Sequence, residues 1–293
     1  MPAKRKQPPP APAPDSYLAH ASVSRTASAK SIQSAYKIEV RFLGGLNAAQ
    51  KSAFKAAADR WSRVIIGDVP SVMVGGEVID DLLIEAQGVP IDGPGRILGQ
   101  AGPTNLRPAS AGVNAFLPAK GIMSFDIADL ASMQKDGTLL DVITHEMGHV
   151  IGIGTIWAHK HLLVGAGSAN PTFKGTNARK EYGKLKGTGP VAVPVENTGG
   201  AGTRDGHWRE SVFRNELMSG FIAAPKNPLS RLTVASLKDL GYVVDLSAAE
   251  PYTLPNLHAI AEAGLLAAGS RADHRHALPI FAPKVLPDSS LSF

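Results

Sequence analysis

Two histidines four residues apart, with a glutamate directly after the first, are the residues of this sequence best suited to chemistry. They are His145, Glu146 and His149. On a helix, 3.6 residues per turn place both imidazoles on one face, where two nitrogens can bind one tetrahedral Zn²⁺. The carboxylate of Glu146 can then reach a water molecule at the metal without ligating the metal itself. The pattern predicts a zinc hydrolase site with Glu146 as general base.

The residues around this motif predict a buried helix from about Leu139 to Ile151, closed by Gly152. Asp141 falls in its first turn, where a carboxylate suits the helix dipole. Burial of two histidines and a glutamate without partners is costly, so a metal is a better explanation than an ordinary amphipathic helix. The apolar positions that bury the helix are Val142, Ile143, Met147, Val150 and Ile151.

Two histidines do not complete a catalytic zinc site, which usually has three protein ligands and a water. The compact metzincin pattern places a third histidine six residues after the second. Gly152 of that pattern is present, but Thr155 occupies the histidine position. The third ligand must therefore come from another part of the chain.

Three downstream segments supply a resemblance. Residues 207–210 read His-Trp-Arg-Glu, residues 215–220 read Asn-Glu-Leu-Met-Ser-Gly, and residues 232–242 end in Asp-Leu-Gly-Tyr. In this order, over about residues 139–250, the chain resembles the leishmanolysin-like metzincins, whose third histidine follows a long insertion. The resemblance implies that His207 is the third zinc ligand and that Met218 forms the tight turn beneath the metal. It also implies that the helix ending at Gly241 packs behind that turn.

The chain departs from that family, whose members are rich in cysteine, and at one position it departs from some other metzincins. It has no cysteine, so disulfides and activation by a cysteine switch are not carried over. Gly220 stands two residues after Met218, where some metzincins have a tyrosine, so no tyrosine switch is expected.

Other ligand sets stay open at this point. Residues 202–205 partly match the aspzincin pattern, in which Asp205 would be the third ligand. A thermolysin-like site would instead use a glutamate, and the candidates are Glu196, Glu210 and Glu216.

Two further features could bind a metal ion. His159 and His161, shortly after the helix, offer a second, weak metal site. The spacing of Asp126 and Asp129 fits a capped turn better than a calcium loop.

Composition limits the class of protein. The chain has 293 residues, 44% hydrophobic residues and a formal net charge of +5, all of which arises within residues 1–37. A neutral remainder argues against nucleic-acid binding. There is no apolar run long enough to span a membrane. The start also lacks the apolar stretch of a secretory signal, so we expect export by a route without a signal peptide, or retention in the cytoplasm.

Hydrophobic periodicity places the remaining elements. We expect a helix capped by Asn47, a helix from residue 228 to Gly241, and a short helix over residues 257–268 capped by Asn256. Residues 88–111 and 158–206, rich in glycine and proline, are expected to be loops. The expected strands cover residues 36–42, 72–74, 80–87, 121–125 and 242–245. Residues 121–124 stand where metzincins place the edge strand that pairs with an extended substrate, although the sequence fits a central strand equally well.

Together these features predict an α+β, metzincin-like zinc endopeptidase acting on a protein or peptide. We expect an upper mixed β-sheet subdomain with a backing helix and the active-site helix, a lower irregular subdomain, and a zinc cleft between them. We expect the chain to divide into five parts: a disordered basic tail at 1–36, a catalytic subdomain at 37–157, an insertion at 158–206, a second subdomain at 207–250 and a C-terminal helix and tail at 251–293. The alternatives are a degenerate enzyme or binding module with structural zinc, an aspzincin-type protease with Asp205 as third ligand, and an effector toxin delivered by a secretion machine.

Overall fold

The chain folds as a mixed α+β protein, as predicted. Its computed structural model describes residues 14–20, 36–93, 95, 97–200, 202–222, 225–256, 275–277 and 282–291. The helices are α1 (Ala48–Val64), α2 (Ile127–Asp136), α3 (Leu139–Ile151), α4 (Thr176–Lys186), α5 (Glu210–Phe213) and α6 (Arg231–Leu240).

The strands form one large sheet and two small ones. They are β1 (Ser16–His20), β2 (Lys37–Gly44), β3 (Val72–Val74), β4 (Glu77–Ile79), β5 (Leu82–Val89), β6 (Ile97–Leu106), β7 (Pro118–Asp126), β8 (Leu163–Val164), β9 (Thr172–Phe173), β10 (Val193–Pro194), β11 (Arg275–Ala277) and β12 (Lys284–Val285).

The large sheet has the order β1-β2-β5-β7-β6-β11, and β12 also pairs with β6. Strands β2, β5 and β7 are parallel to one another, whereas β1 and β6 are antiparallel to their neighbours β2 and β7. Helices α1 and α3 pack against each other, and α3 contacts β6 and β7. The sheet and α1 thus form the support on which the helix with the two histidines lies.

Helix α1 shows how local sequence sets an element. The side chain of Asn47 accepts from the Gln50 N–H, and the Gln50 side chain accepts from the Asn47 N–H, which completes the capping box. Phe54 and Trp61 on one face are fully buried. The predicted helix capped by Asn47 is therefore confirmed.

The sequence prediction was wrong for β6, which lies within residues 88–111. Its glycines concealed the strand, yet they are needed there because a Cβ on Gly99 would lie 2.6 Å from the Ser124 carbonyl oxygen. Pro103 lies at a register shift, where a strand tolerates a residue without an N–H. Because β6 pairs with β7, residues 121–125 belong to a central strand and not to the sheet edge.

The prediction that residues 1–36 are disordered was also wrong for residues 16–20, because they form β1. Ala19 is buried, and the Tyr17 hydroxyl donates to Asp59 on α1 at 2.8 Å. Five residues are too few to show a clear alternation in the sequence, and the strand depends on pairing with β2.

The region 158–206 contains regular structure that the sequence did not indicate. Its helix α4 receives its N-terminal cap from another element: the Asp239 carboxylate on α6 accepts from the N–H groups of Asn177 and Ala178. A cap supplied by a residue 62 positions away leaves no local sequence signal. Strands β8, β9 and β10 form a small sheet in the same region.

The C-terminal elements agree only in part with the prediction. Helix α6 lies between its N-cap Ser230 and its C-cap Gly241. The expected strand at 242–245 is reduced to a single bridge between Val244 and Ile65. The helix predicted for residues 257–268 lies outside the described residues. Within the described part of the chain, no helix is long and apolar enough to cross a membrane.

Candidate metal centre

Helix α3 presents His145 and His149 one turn apart, and both are fully buried. The helix spans Leu139–Ile151 as predicted, and Gly152 is its C-cap. The Trp61 indole on α1 donates to the Thr144 carbonyl at 2.8 Å, which fixes α3 on the core beside the first histidine. Burial and this contact hold the two imidazoles in place.

His207 reaches the same place from the segment that follows the insertion. Its carbonyl accepts from the Glu196 N–H at 2.9 Å. The turn after α3 comes so close to this segment that a Cβ on Gly154 would lie 2.0 Å from the Gly206 carbonyl oxygen. Gly154, with a φ of +76°, therefore allows His207 to approach α3.

The three imidazoles converge through their Nε2 atoms. The Nε2–Nε2 distance is 3.1 Å between His145 and His207, 3.1 Å between His145 and His149, and 2.9 Å between His149 and His207. All three residues have no exposed surface. Within the described ranges, these three side chains form a group whose ligand atoms can hold one metal ion.

Backbone carbonyls fix the tautomer of each ring. Nδ1 of His145 lies 2.7 Å from the Leu217 oxygen, Nδ1 of His149 lies 2.9 Å from the Ile153 oxygen, and Nδ1 of His207 lies 2.8 Å from the Thr203 oxygen. A carbonyl only accepts, so each Nδ1 carries the proton and each Nε2 presents its lone pair.

This donor set fits a zinc ion. Three Nε2 lone pairs that face one another repel unless a cation lies between them. Tetrahedral zinc with Zn–N bonds of 2.0–2.1 Å needs nitrogens about 3.3 Å apart, close to the separations observed. The orienting carbonyls are also the partners that metal-bound histidines usually have.

Glu146 directly follows the first histidine on α3 and is only 5% exposed. In sequence it lies between the two histidines of α3. General base catalysis would require its carboxylate to come within hydrogen-bond reach of the attacking water.

Met218 lies in a tight turn that packs against α3. The Ser219 N–H donates to the Glu216 carbonyl at 3.0 Å, and the Trp208 N–H donates to the Met218 carbonyl at 2.9 Å. The Met218 sulfur lies so close to α3 that a Cβ on Gly148 would be 2.7 Å from it. The turn therefore lies against the helix between the two histidines.

The carboxylate of Glu216 accepts hydrogen bonds from three residues. It accepts from the Met218 N–H at 2.6 Å, from the Ser230 hydroxyl at 2.6 Å and from the Thr233 hydroxyl. Complete burial raises the pKa of this carboxyl, and the hydrogen bonds from Ser230 and Thr233 oppose that rise.

The other ligands that the sequence left open occupy other positions. Asp205 does not belong to the histidine group, and its Oδ2 accepts from the Gly167 N–H at 2.9 Å. Glu196 accepts from the N–H groups of Asn197, Thr198 and Glu210.

Three other candidates also lie outside the histidine group: Glu210, His159 and His161. Burial raises the pKa of Glu210 to about 7. The ring of His159 lies 5.9 Å from that of Phe116, and His161 is exposed.

Two residues that sequence reasoning considered have structural partners. The hydroxyl of Thr155, which occupies the position of a histidine in the compact pattern, donates to the His149 carbonyl at 2.7 Å. Asp126 caps α2 and also accepts from the N–H groups of residues 91–93. The hydrogen bonds from Ile91 and its neighbours lower the pKa of Asp126, as expected for a capped turn.

Sequence reasoning missed the groups that orient the site. The oxygens of Leu217, Ile153 and Thr203 are backbone atoms, which leave no residue-type signal. Glu216 was considered only as a rival ligand, although its position two residues before Met218 was visible.

The fold and the site together define an α+β protein with a buried three-histidine centre suited to a metal ion. The sequence profile of the leishmanolysin family matches residues 111–260, just over half of the chain. The chain belongs to the leishmanolysin family. The matched range contains all three histidines, Glu146 and Met218.

Individual relatives agree with this assignment. The chain is 30% identical over 146 residues to a leishmanolysin of Leishmania donovani, which covers 45% of this chain and 24% of the relative. It is 31% identical over 147 residues to a leishmanolysin of Leishmania chagasi, with 45% and 23% covered. A leishmanolysin homolog of Crithidia fasciculata is 26% identical over 136 residues, with 43% and 20% covered. The matched part of the chain thus spans less than a quarter of the length of these relatives.

Proposed function

We propose that this chain is a zinc-dependent endopeptidase in which His145, His149 and His207 hold the metal. The observation that carries the proposal is the convergence of three Nε2 atoms within 3.1 Å of one another, each on a ring oriented by a backbone carbonyl. Membership of the leishmanolysin family supports the choice of zinc and of a peptide bond as the substrate.

When bound, zinc supplies a Lewis acid that lowers the pKa of a water ligand toward about 7 and polarises a substrate carbonyl. Glu146 acts as the general base: its carboxylate takes a proton from the attacking water. The same carboxyl then donates that proton to the amine that leaves as the peptide bond breaks. The helix α3 positions this carboxylate relative to the imidazoles.

We further propose a metzincin-like division of the chain. The large sheet, α1 and α3 would form the upper subdomain at residues 37–157, and residues 207–250, with the Met218 turn and α6, would form the lower one. Residues 158–206 would be the insertion between them, residues 1–36 and 251–293 the flanking segments, and the zinc cleft would separate the two subdomains. Met218 would form the turn beneath the metal.

The test is digestion of casein by the full chain, with and without a chelator, for wild type and Glu146→Ala. We expect wild type to cleave casein and the chelator to stop it. Glu146→Ala should keep zinc but lose roughly 10²- to 10⁴-fold or more in rate, since the base is gone. Glu77→Ala, which removes a half-exposed glutamate on β4, is the matched control and should retain full activity.

Two results would contradict the proposal. Wild-type rates in Glu146→Ala would exclude the carboxylate as general base. A wild-type chain that binds zinc but cleaves nothing would favour a binding module with structural zinc.

A further inference from the structure

Glu216 connects the parts of the chain that surround the three histidines. It is fully buried and lies on the segment between His207 and α6. One carboxylate oxygen accepts from the Met218 N–H, and the other accepts from Ser230 and Thr233 at the start of α6. A single side chain thus ties the Met218 turn to α6.

The directions of these hydrogen bonds can be worked out. The Thr233 hydroxyl accepts from the Trp208 indole at 2.8 Å, so its own proton is directed to Glu216. The Ser230 hydroxyl accepts from the Thr233 N–H at 3.3 Å, so its proton is also directed to Glu216. With the Ser230 and Met218 N–H groups, four donors face the carboxylate, which is the set that an ionised carboxylate satisfies.

Two paths lead from this carboxylate to the histidines. In the first, the Met218 N–H is held by Glu216, and the preceding Leu217 carbonyl accepts from His145 Nδ1 at 2.7 Å. In the second, Thr233 links Glu216 to Trp208, which directly follows His207. The Trp208 N–H also donates to the Met218 carbonyl at 2.9 Å, which closes the network.

We propose that Glu216 is a positioning residue of the metal centre, which holds the Leu217 carbonyl and Trp208 and thereby sets the orientation of His145 and His207. It touches neither the metal nor a substrate. This inference rests on the proposed zinc site but adds a residue that the site does not contain. Its consequence is that zinc affinity depends on a carboxylate beyond the ligands themselves.

The test uses Glu216→Gln in the full chain. The amide keeps the shape but places an NH₂ group against four donors, so at least one donor loses its acceptor. We expect zinc affinity, measured by competition with a chromogenic chelator, to fall about 10- to 100-fold, the usual effect of removing an outer partner. In the metal-free protein, we expect the ¹⁵N NMR signal of protonated Nδ1 of His145 to weaken.

Glu181→Gln is the matched control. Glu181 is a buried glutamate on α4, paired with Lys184 and Arg231 and without a hydrogen-bonded path to the histidines in the described contacts. We expect this variant to show wild-type zinc affinity. If Glu216→Gln does not fold, Thr233→Val takes its place in the test. This variant removes the hydroxyl that links Trp208 to Glu216 and keeps the side-chain shape. It should also lower zinc affinity.

The outcomes separate this inference from the proposed function. If Glu216→Gln or, where it does not fold, Thr233→Val keeps wild-type zinc affinity and the His145 signal, the positioning role is wrong. A loss of affinity equal to that of Glu181→Gln would also overturn it, because the effect would then be general destabilisation. If wild type binds no zinc, the proposed function fails, and the His145 signal in the metal-free variants alone decides the role of Glu216.

Discussion

At the scale of single residues, the centre depends on which ring nitrogen of each histidine carries its proton. Leu217, Ile153 and Thr203 each supply a carbonyl oxygen within 2.9 Å of an Nδ1 atom. The three rings are therefore held in one tautomer before any ligand arrives, which lowers the entropy lost when a metal is bound. The sequence motif names the ligands, whereas the fold supplies these carbonyls.

Gly148 gives a prediction at this scale. Alanine is the better helix former by about 1 kcal/mol, but its Cβ would lie 2.7 Å from the Met218 sulfur and 2.9 Å from the Trp61 ring. We expect Gly148→Ala to lower the free energy of unfolding by roughly 1–3 kcal/mol, because overcrowding outweighs helix propensity. Chemical denaturation measures this change.

A double-mutant cycle with Met218→Ala provides the control. The cost of Gly148→Ala should shrink when the methionine side chain is removed, since the two groups compete for the same space. An unchanged cost in both backgrounds would show that Met218 is not what excludes the alanine methyl group.

At the scale of elements, the sequence predicted those whose signals are local. Helix α1 has its own capping box, and α3 has a continuous apolar face and a terminal glycine, so both appear where expected. Strand β6 and helix α4 were missed because their determinants lie elsewhere. The glycines of β6 allow this strand to lie close to β7, and the carboxylate of Asp239 on α6 caps α4.

The same distinction applies to the candidate site. The spacing of His145 and His149 shows their common face directly, and His207 could be found only through a family resemblance. The network around Glu216 could not be predicted, because its partners Thr233 and Trp208 lie on different segments and meet only in the folded chain.

Arg60 gives a prediction at the scale of elements, because it joins α1 to α3 and to the chain after α6. It donates to Glu250 at 2.6 Å and contacts Asp141 on α3 at 3.3 Å. Burial alone would raise the pKa of Glu250, but hydrogen bonds from Arg60 and the Leu229 N–H outweigh it, and the pKa lies below its ordinary value of 4.5. The ionised form is thus favoured in the folded chain.

A carboxyl whose folded pKa is lowered stabilises the fold above its unfolded pKa and loses that contribution as the pH falls through the folded pKa. We expect Glu250→Gln to reduce the free energy of unfolding by about 1 kcal/mol at pH 7. The difference from wild type should disappear as the pH falls below about 4. Denaturation curves between pH 3 and pH 7 test this, and a difference that stays constant over the range would contradict it.

At the scale of the whole molecule, the centre joins two parts of the chain that are distant in sequence. His149 and His207 are 58 positions apart, and the insertion with α4 and the small sheet lies between them. A metal held by both parts therefore depends on the complete fold and not on the motif of α3 alone. Because the third ligand lies so far from α3 in the sequence, spacing alone could not decide between His207 and Asp205.

Zinc content of the purified full chain tests this account most directly. Elemental analysis after dialysis should give one zinc per chain for wild type, for Asp205→Ala and for the control His161→Ala, which alters an exposed histidine outside the centre. His207→Ala should hold far less than one zinc per chain, since only two protein ligands remain. One zinc per chain in His207→Ala, together with loss of zinc in Asp205→Ala, would contradict the three-histidine centre.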